Sequence, residues 1–211
     1  MRFILASASP ARLAVLRAAG IDPIVRVSNV DEDAVAAALS DPRPDDVVSA
    51  LAVAKADAVL IATAAEHMDS VIVGCDSMLS IDGELVGKPL RPEVALRRWR
   101  SMAGGTGDLL TGHAVIRIAD GTVVGRAGGT QRTTVHFGRP TEHELAAYVE
   151  HGEPLHVAGG FTIDGLGGWF VERISGDPSS VIGISLPLMR TLLAKVGLTV
   201  ADLWQHVAHP R

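Results

Sequence analysis

The chain has 211 residues, 47% of them apolar and 20% charged, which suits a single compact globular domain. A formal charge of −5 leaves no general basic field for a nucleic-acid polymer, so an anionic ligand would need a local cationic pocket. The lone cysteine, Cys75, excludes an internal disulfide framework and a cysteine-built zinc site, and it suits a reducing compartment.

The apolar run at 2–6 predicts a strand. Ala6 and Ala8 imitate a signal-cleavage site, but the apolar stretch before them is far shorter than the roughly 7–15 residues of a signal core. No apolar run approaches the ~20 residues of a membrane span. The expectation is a soluble cytoplasmic protein with no membrane partner. Ser9-Pro10 reads as an N-cap followed by Pro at the first helical position, with Leu13, Leu16 and Arg17 at helical spacing and Gly20 as the stop. A second strand is expected at about 23–28, leading into the acidic triplet Asp31-Glu32-Asp33, which reads as a loop.

Residues 44–64 carry the longest helical period, and it puts Val48, Leu51, Ala52, Lys55, Val59 and Ala62 on one face. A strand over 70–74 leads to Asp76, and a hairpin is expected over 78–87 around Asp82-Gly83. A helix over 92–103, a glycine loop at 104–107, and long strands at 109–118 and 122–137 follow. Thr141 and Glu144 form a capping box for a helix to about His151. Residues 152–183 are glycine-rich with a strand near 169–174, and a helical pair runs from about 186 to 206. Early strand–helix alternation followed by long hairpins implies a mixed α/β sheet with helices around it. Aromatics are only 4%, so the core should rest on Ala, Val, Leu and Ile.

Several groups of residues invite chemistry. Ser7-Ala8-Ser9-Pro10-Ala11-Arg12 joins a strand to a helix N-terminus, where free N–H groups, the helix dipole and the Arg12 fork suit phosphate. The plainer reading is a capped helix with a surface Arg. Lys55 lies in an apolar stripe; either its head snorkels to water or it reaches into a cleft toward an anion. Asp76 follows an apolar strand and Gly74, a place where a carboxylate can hold a metal or activate water, or else cap a turn. Gly87-Lys88-Pro89 aims one charge in a fixed direction but lacks the spacing of a phosphate-binding P-loop. The acidic triplet Asp31-Glu32-Asp33 is a solvated loop or, alternatively, a site for Mg²⁺, which takes one or two carboxylates plus substrate phosphates. His143, His151 and His156 do not have metalloprotease spacing.

The order of these segments resembles the Maf family of nucleoside triphosphate pyrophosphatases, also called septum formation inhibitors. The resemblance rests on the run 5–12, Asp31-Glu32, Ala54-Lys55-Ala56, Gly74-Cys75-Asp76-Ser77, Gly87-Lys88-Pro89, Thr111-Gly112, Gly152-Glu153-Pro154, Ala158-Gly159-Gly160-Phe161, and Gly176-Asp177 through Leu186-Pro187. It covers nearly the whole chain. It implies one domain with a bent mixed sheet and two lobes around a central cleft, and usually a homodimer. It also implies hydrolysis of a nucleoside triphosphate to the monophosphate and pyrophosphate with Mg²⁺ or Mn²⁺. By position, Asp76 would be the proton acceptor and a metal ligand. Ser9, Arg12, Lys55 and Lys88 would hold phosphates, and Glu32 would help hold the metal.

The family links the positions of Ala11, Ser77 and Asp164 to base choice. Here Ala11 stands where the family usually has Arg and Asp164 where it often has Gln. Ala103-Gly104-Gly105-Thr106-Gly107 replaces a usual Ser-Gly-Arg-Thr-His stretch. A non-catalytic nucleotide-sensing protein that restrains cell division is the alternative function. A purine-selective pyrophosphatase of the inosine triphosphate type is the alternative enzyme.

Overall fold

The computed structural model describes residues 1–63 and 68–204. The expected ends of the long helix at 64 and of the last helical pair at 206 lie outside those residues. In chain order the elements are β1 (Arg2–Ala6), α1 (Pro10–Ala18), β2 (Ile24–Val25), α2 (Glu32–Ala37), α3 (Pro44–Thr63), β3 (Ser70–Ile81), β4 (Glu84–Val86), α4 (Pro92–Met102), β5 (Thr106–Ala119) and β6 (Thr122–Phe137). They continue with α5 (Glu142–Glu150), β7 (Val171–Ser175), α6 (Pro178–Ile182) and α7 (Leu186–Lys195), with short 3₁₀ turns between α5 and β7. Seven strands form one mixed sheet in the order β2-β1-β3-β5-β6-β7, with β4 paired to β3. β1 runs parallel to β2 and β3, whereas β3–β4 and β6–β7 are antiparallel. The mixed α/β class expected from the sequence is what the chain adopts. No helix among the described residues is long and apolar enough to cross a membrane.

The chain divides into two compact units. The first comprises the described residues within Met1–Asp76, Gly112–Thr130 and Leu186–Arg211. Its core is aliphatic, with Ile4, Ala6, Ala52, Ala56, Val59, Ile72, Ile116 and Ile118 packed together. Small residues there let backbones approach. A Cβ on Gly74 of β3 would lie 2.2 Å from the Ala52 carbonyl oxygen, and one on Gly112 of β5 would lie 2.2 Å from that of Val48. Both glycines therefore mark where α3 presses on the sheet.

The second unit comprises Ser77–Thr111 and Gln131–Ser185. The expectation of an aliphatic core fails here, because six of the eight aromatics gather in this unit. Trp99 meets Phe137, Tyr148 and Phe170 edge-on at centroid distances of 5.7, 5.8 and 5.7 Å. Its indole N–H donates to the Gly160 carbonyl at 2.8 Å. The β3–β4 hairpin turns at Asp82 and Gly83, both with positive φ, as a two-residue hairpin turn requires.

Three departures from the sequence reading have physical causes. The acidic triplet is not a loop: Asp31 caps α2 by accepting from the Ala34 N–H at 3.0 Å, and Glu32 and Asp33 complement the helix dipole in its first turn. β3 does not stop near 74 but runs through Asp76 to Ile81, because the carboxylate in its middle has a cationic partner. The short helix α6 starts where Asp177 accepts from the Ser179 N–H at 2.9 Å.

Candidate active site

The first unit assembles the charged residues. β1 and β3 pair in parallel up to Ala6 opposite Gly74. Beyond that point β1 gives way to Ser7 and the cap of α1, while β3 continues to Asp76. A carboxylate thus stands just past the carboxyl end of a parallel strand, where binding crevices of α/β sheets form. Asp76 lies within β3, two residues beyond the last pairing with β1.

Helix α3 delivers the cation. Lys55 lies one turn beyond Ala52, the residue that touches Gly74. Its Nζ reaches Asp76 Oδ1 at 2.5 Å and Glu32 Oε1 at 2.6 Å. Lys55 and Asp76 are buried, and Glu32 is half exposed on α2. The snorkelling reading of Lys55 is therefore wrong; the head stays inside because two carboxylates compensate it. Asp31-Glu32 and Ala54-Lys55, far apart in sequence, meet at one ammonium.

Arg12 is buried at the start of α1, where NH1 donates to Ser7 Oγ at 3.0 Å. Ser7 Oγ also accepts the Ser9 N–H at 3.2 Å, and Ser9 Oγ accepts the Arg12 N–H at 3.4 Å. Ser9 is thus the expected N-cap, with Pro10 at the first helical position. Ala11 is partly buried beside it.

Burial pushes the Asp76 carboxyl above the ordinary aspartate range. The positive charges of Lys55 and Arg12 oppose that shift without cancelling it. A carboxylate held this way has more affinity for a proton than a solvated one, which is the property of a general base. The neighbouring Cys75 thiol is fully buried and is raised to about 11, so it is inert.

In the second unit Ser77 Oγ is bonded to Thr111 Oγ1 at 3.0 Å, and Thr111 Oγ1 donates to the Ser180 carbonyl at 3.0 Å. Lys88 is exposed and forms no ion pair with a described residue. Asp164 is likewise exposed, on a loop that Glu153 holds. Glu153 accepts from Tyr148 at 3.0 Å, Thr162 at 2.6 Å, and the Leu166 and Gly167 N–H groups at 2.9 and 3.0 Å. These four bonds hold its carboxyl below the usual glutamate range, against the effect of burial. The sequence reading gave Glu153 no role. The pointer to one was its place between Gly152 and Pro154, ahead of a loop rich in glycine.

These features define a mixed α/β protein that gathers charged side chains at the carboxyl end of parallel strands. Residues 2–196 match the family described as Maf-like protein, and the chain belongs to that family. It is similar to the nucleoside triphosphate pyrophosphatase of Saccharopolyspora erythraea, with 66% identity over 97% of each chain. It is 63% identical to the nucleoside triphosphate pyrophosphatase of Nocardia farcinica over 97% of each chain. The protein of that name from Mycolicibacterium smegmatis is 60% identical over 96% of this chain and 97% of its own. The family read from the order of motifs is thus the right one.

Proposed function

We propose that the protein is a nucleoside triphosphate pyrophosphatase, cleaving its substrate to the monophosphate and pyrophosphate. The observation that carries this reading is the buried Asp76 carboxylate bound through one oxygen to Lys55 and shared there with Glu32. The Asp76 carboxylate accepts no other hydrogen bond from a side chain among the described residues, so Oδ2 is left to take a proton. A water molecule gives its proton to that oxygen and attacks the α-phosphorus. The bond from the α-phosphorus to the bridging oxygen breaks, and pyrophosphate leaves with the electron pair. Lys55 and Arg12 offer positive charge to the phosphates, with N–H groups at the Ser9-Pro10 helix start. Lys88 is a further phosphate holder in this reading.

Glu32 and Asp76 suit a hard divalent cation, Mg²⁺ or Mn²⁺, which takes one or two carboxylates and fills its shell with phosphate oxygens and water. Their convergence on a single ammonium, that of Lys55, is what supports assigning both carboxylates to one cation. When bound, such an ion supplies charge neutralisation to the triphosphate tail. Ala11, Ser77 and Asp164 are proposed to bear on base choice. The reading also places the protein in the cytoplasm, where Cys75 stays reduced, and as a homodimer, which sedimentation tests.

The test is a panel of ribo- and deoxynucleoside triphosphates, standard and modified, assayed with Mg²⁺ or Mn²⁺ for pyrophosphate. Equal yields of monophosphate and pyrophosphate are expected. Orthophosphate in place of pyrophosphate would overturn the reading. Tight nucleotide binding without cleavage would point to a sensing protein instead.

A further inference from the structure

Arg98 of α4 has no part in the reaction just described, yet it touches the turn that carries Lys88. α4 buries Ala95, Trp99 and Met102 on one side, which turns Arg98 to the flank of that face. Its NH1 donates to the Gly87 carbonyl at 2.7 Å, and no described carboxylate pairs with it. Partial burial and the charge of Arg97 hold it below the ordinary arginine range, with no acid to offset them. An arginine kept half-buried without a counter-ion costs stability. Its one directed bond, to Gly87, is what the structure obtains from it.

The turn itself is constrained on every side. The Gly87 carbonyl also accepts the Gly159 N–H at 3.3 Å. The Leu90 N–H donates to the Leu155 carbonyl at 3.0 Å. Pro89 is buried and restricts the backbone of Lys88 to extended conformations. Leu90 has a φ of 63°, a strained value for a side chain of that size. Strain of this kind persists only when surrounding contacts over-determine the backbone. The result is that the exposed ammonium of Lys88 is mounted on a turn with little freedom.

We propose that Arg98 is a positioning residue for Lys88, fixing the Gly87-Lys88-Pro89 turn through the Gly87 carbonyl so that the ammonium meets substrate phosphate in one orientation. The proposal rests on the reading of Lys88 as a phosphate holder. Arg98 does not touch substrate in this account. Its removal lets the turn move, and the substrate must then order it.

The experiment is a double-mutant cycle on Lys88→Ala and Arg98→Ala, measuring kcat and KM for pyrophosphate release, with melting temperatures recorded for each variant. Arg98→Ala is expected to raise KM about 3- to 10-fold, the range for re-ordering one long side chain on binding, with kcat nearly unchanged. On the Lys88→Ala background the same substitution should add nothing. Arg98→Lys, which keeps a donor for the carbonyl, should recover part of the loss. If Arg98→Ala fails to fold, Arg98→Met keeps the apolar stem and carries the same test. A Lys88→Ala loss beside unchanged Arg98→Ala and Arg98→Met kinetics overturns the proposal alone. An additive double mutant also overturns it, because Arg98 would then act independently of Lys88. Unchanged Lys88→Ala kinetics overturns the phosphate reading and the proposal with it.

Discussion

Gly74 and Ala52 touch backbone to backbone: a Cβ on Gly74 would lie 2.2 Å from the Ala52 carbonyl oxygen and 2.9 Å from the Ala56 N–H nitrogen. This contact fixes how near α3 comes to β3, and therefore where Lys55, one turn on, meets Asp76. Gly74→Ala must push the helix away or bend the strand. Overpacking of this kind typically costs about 1–3 kcal/mol. The variant should melt at lower temperature and lose turnover more than substrate affinity, which differential scanning calorimetry and steady-state kinetics will show. A variant with parental melting and kinetics would mean that the close approach does not set the Lys55–Asp76 geometry.

Glu32 sits on α2, a helix with no buried residue. Its removal should therefore leave the fold nearly intact. Glu32→Gln takes one charged oxygen from the Lys55 ammonium and from the proposed cation. The expected result is a higher Mg²⁺ concentration for half-maximal rate, with a melting temperature close to that of the parent. Titration with Mg²⁺ after chelator treatment measures it. An unchanged Mg²⁺ requirement would remove Glu32 from the metal site.

Much of this site can be read from the sequence, and the rest could not be, for reasons of distance. Lys55 stands out because a charge interrupts an apolar stripe, and Asp76 because it follows an apolar strand and a glycine. The ion pair between them is not a local property. It depends on α3 crossing β3 at Gly74, which only the folded sheet decides. α2 was hidden because an acidic triplet looks like solvated loop, and the cap from Asp31 to Ala34 is a single short-range bond. Glu153 was hidden more deeply. Its partners Tyr148, Thr162, Leu166 and Gly167 lie on both sides of it in the chain, and no period connects them. The aromatic cluster around Trp99 escaped for the same reason: low aromatic content says nothing about where the aromatics collect.

Glu153 offers a test of stability against pH. Its hydrogen bonds lower its carboxyl below the usual glutamate range, so the folded state binds its proton less readily than the unfolded chain does. The stabilisation is full above the ordinary glutamate value and is lost as pH falls through the lower folded value. Glu153→Gln leaves donors facing an amide that cannot accept from all of them, at a cost of about 1–3 kcal/mol. The gap in melting temperature between parent and variant should be widest near neutrality and should close in acid. A gap independent of pH would show that the charge on Glu153 is not what holds the loop.

Asp76 is shifted in the opposite direction, and the sign of each consequence reverses. Burial raises its carboxyl above the ordinary aspartate range, so the folded chain binds this proton more readily than the unfolded one. Ionised Asp76 therefore costs stability, a cost that appears as pH rises from the ordinary aspartate value through the raised one and persists above it. Asp76→Asn removes that cost, while Lys55 keeps Glu32 as a partner at 2.6 Å. The variant should melt no lower than the parent at pH 7, and any advantage should vanish in acid. Turnover should fall about 10²- to 10⁴-fold, the usual contribution of a general base. The acid limb of kcat/KM should lie above the ordinary aspartate range. Lys55→Met should move it higher still, because the Lys55 charge is the strongest influence opposing the shift. An acid limb that moves downward in Lys55→Met, or an Asp76→Asn variant that releases pyrophosphate at the parental rate, would remove Asp76 from the role of base.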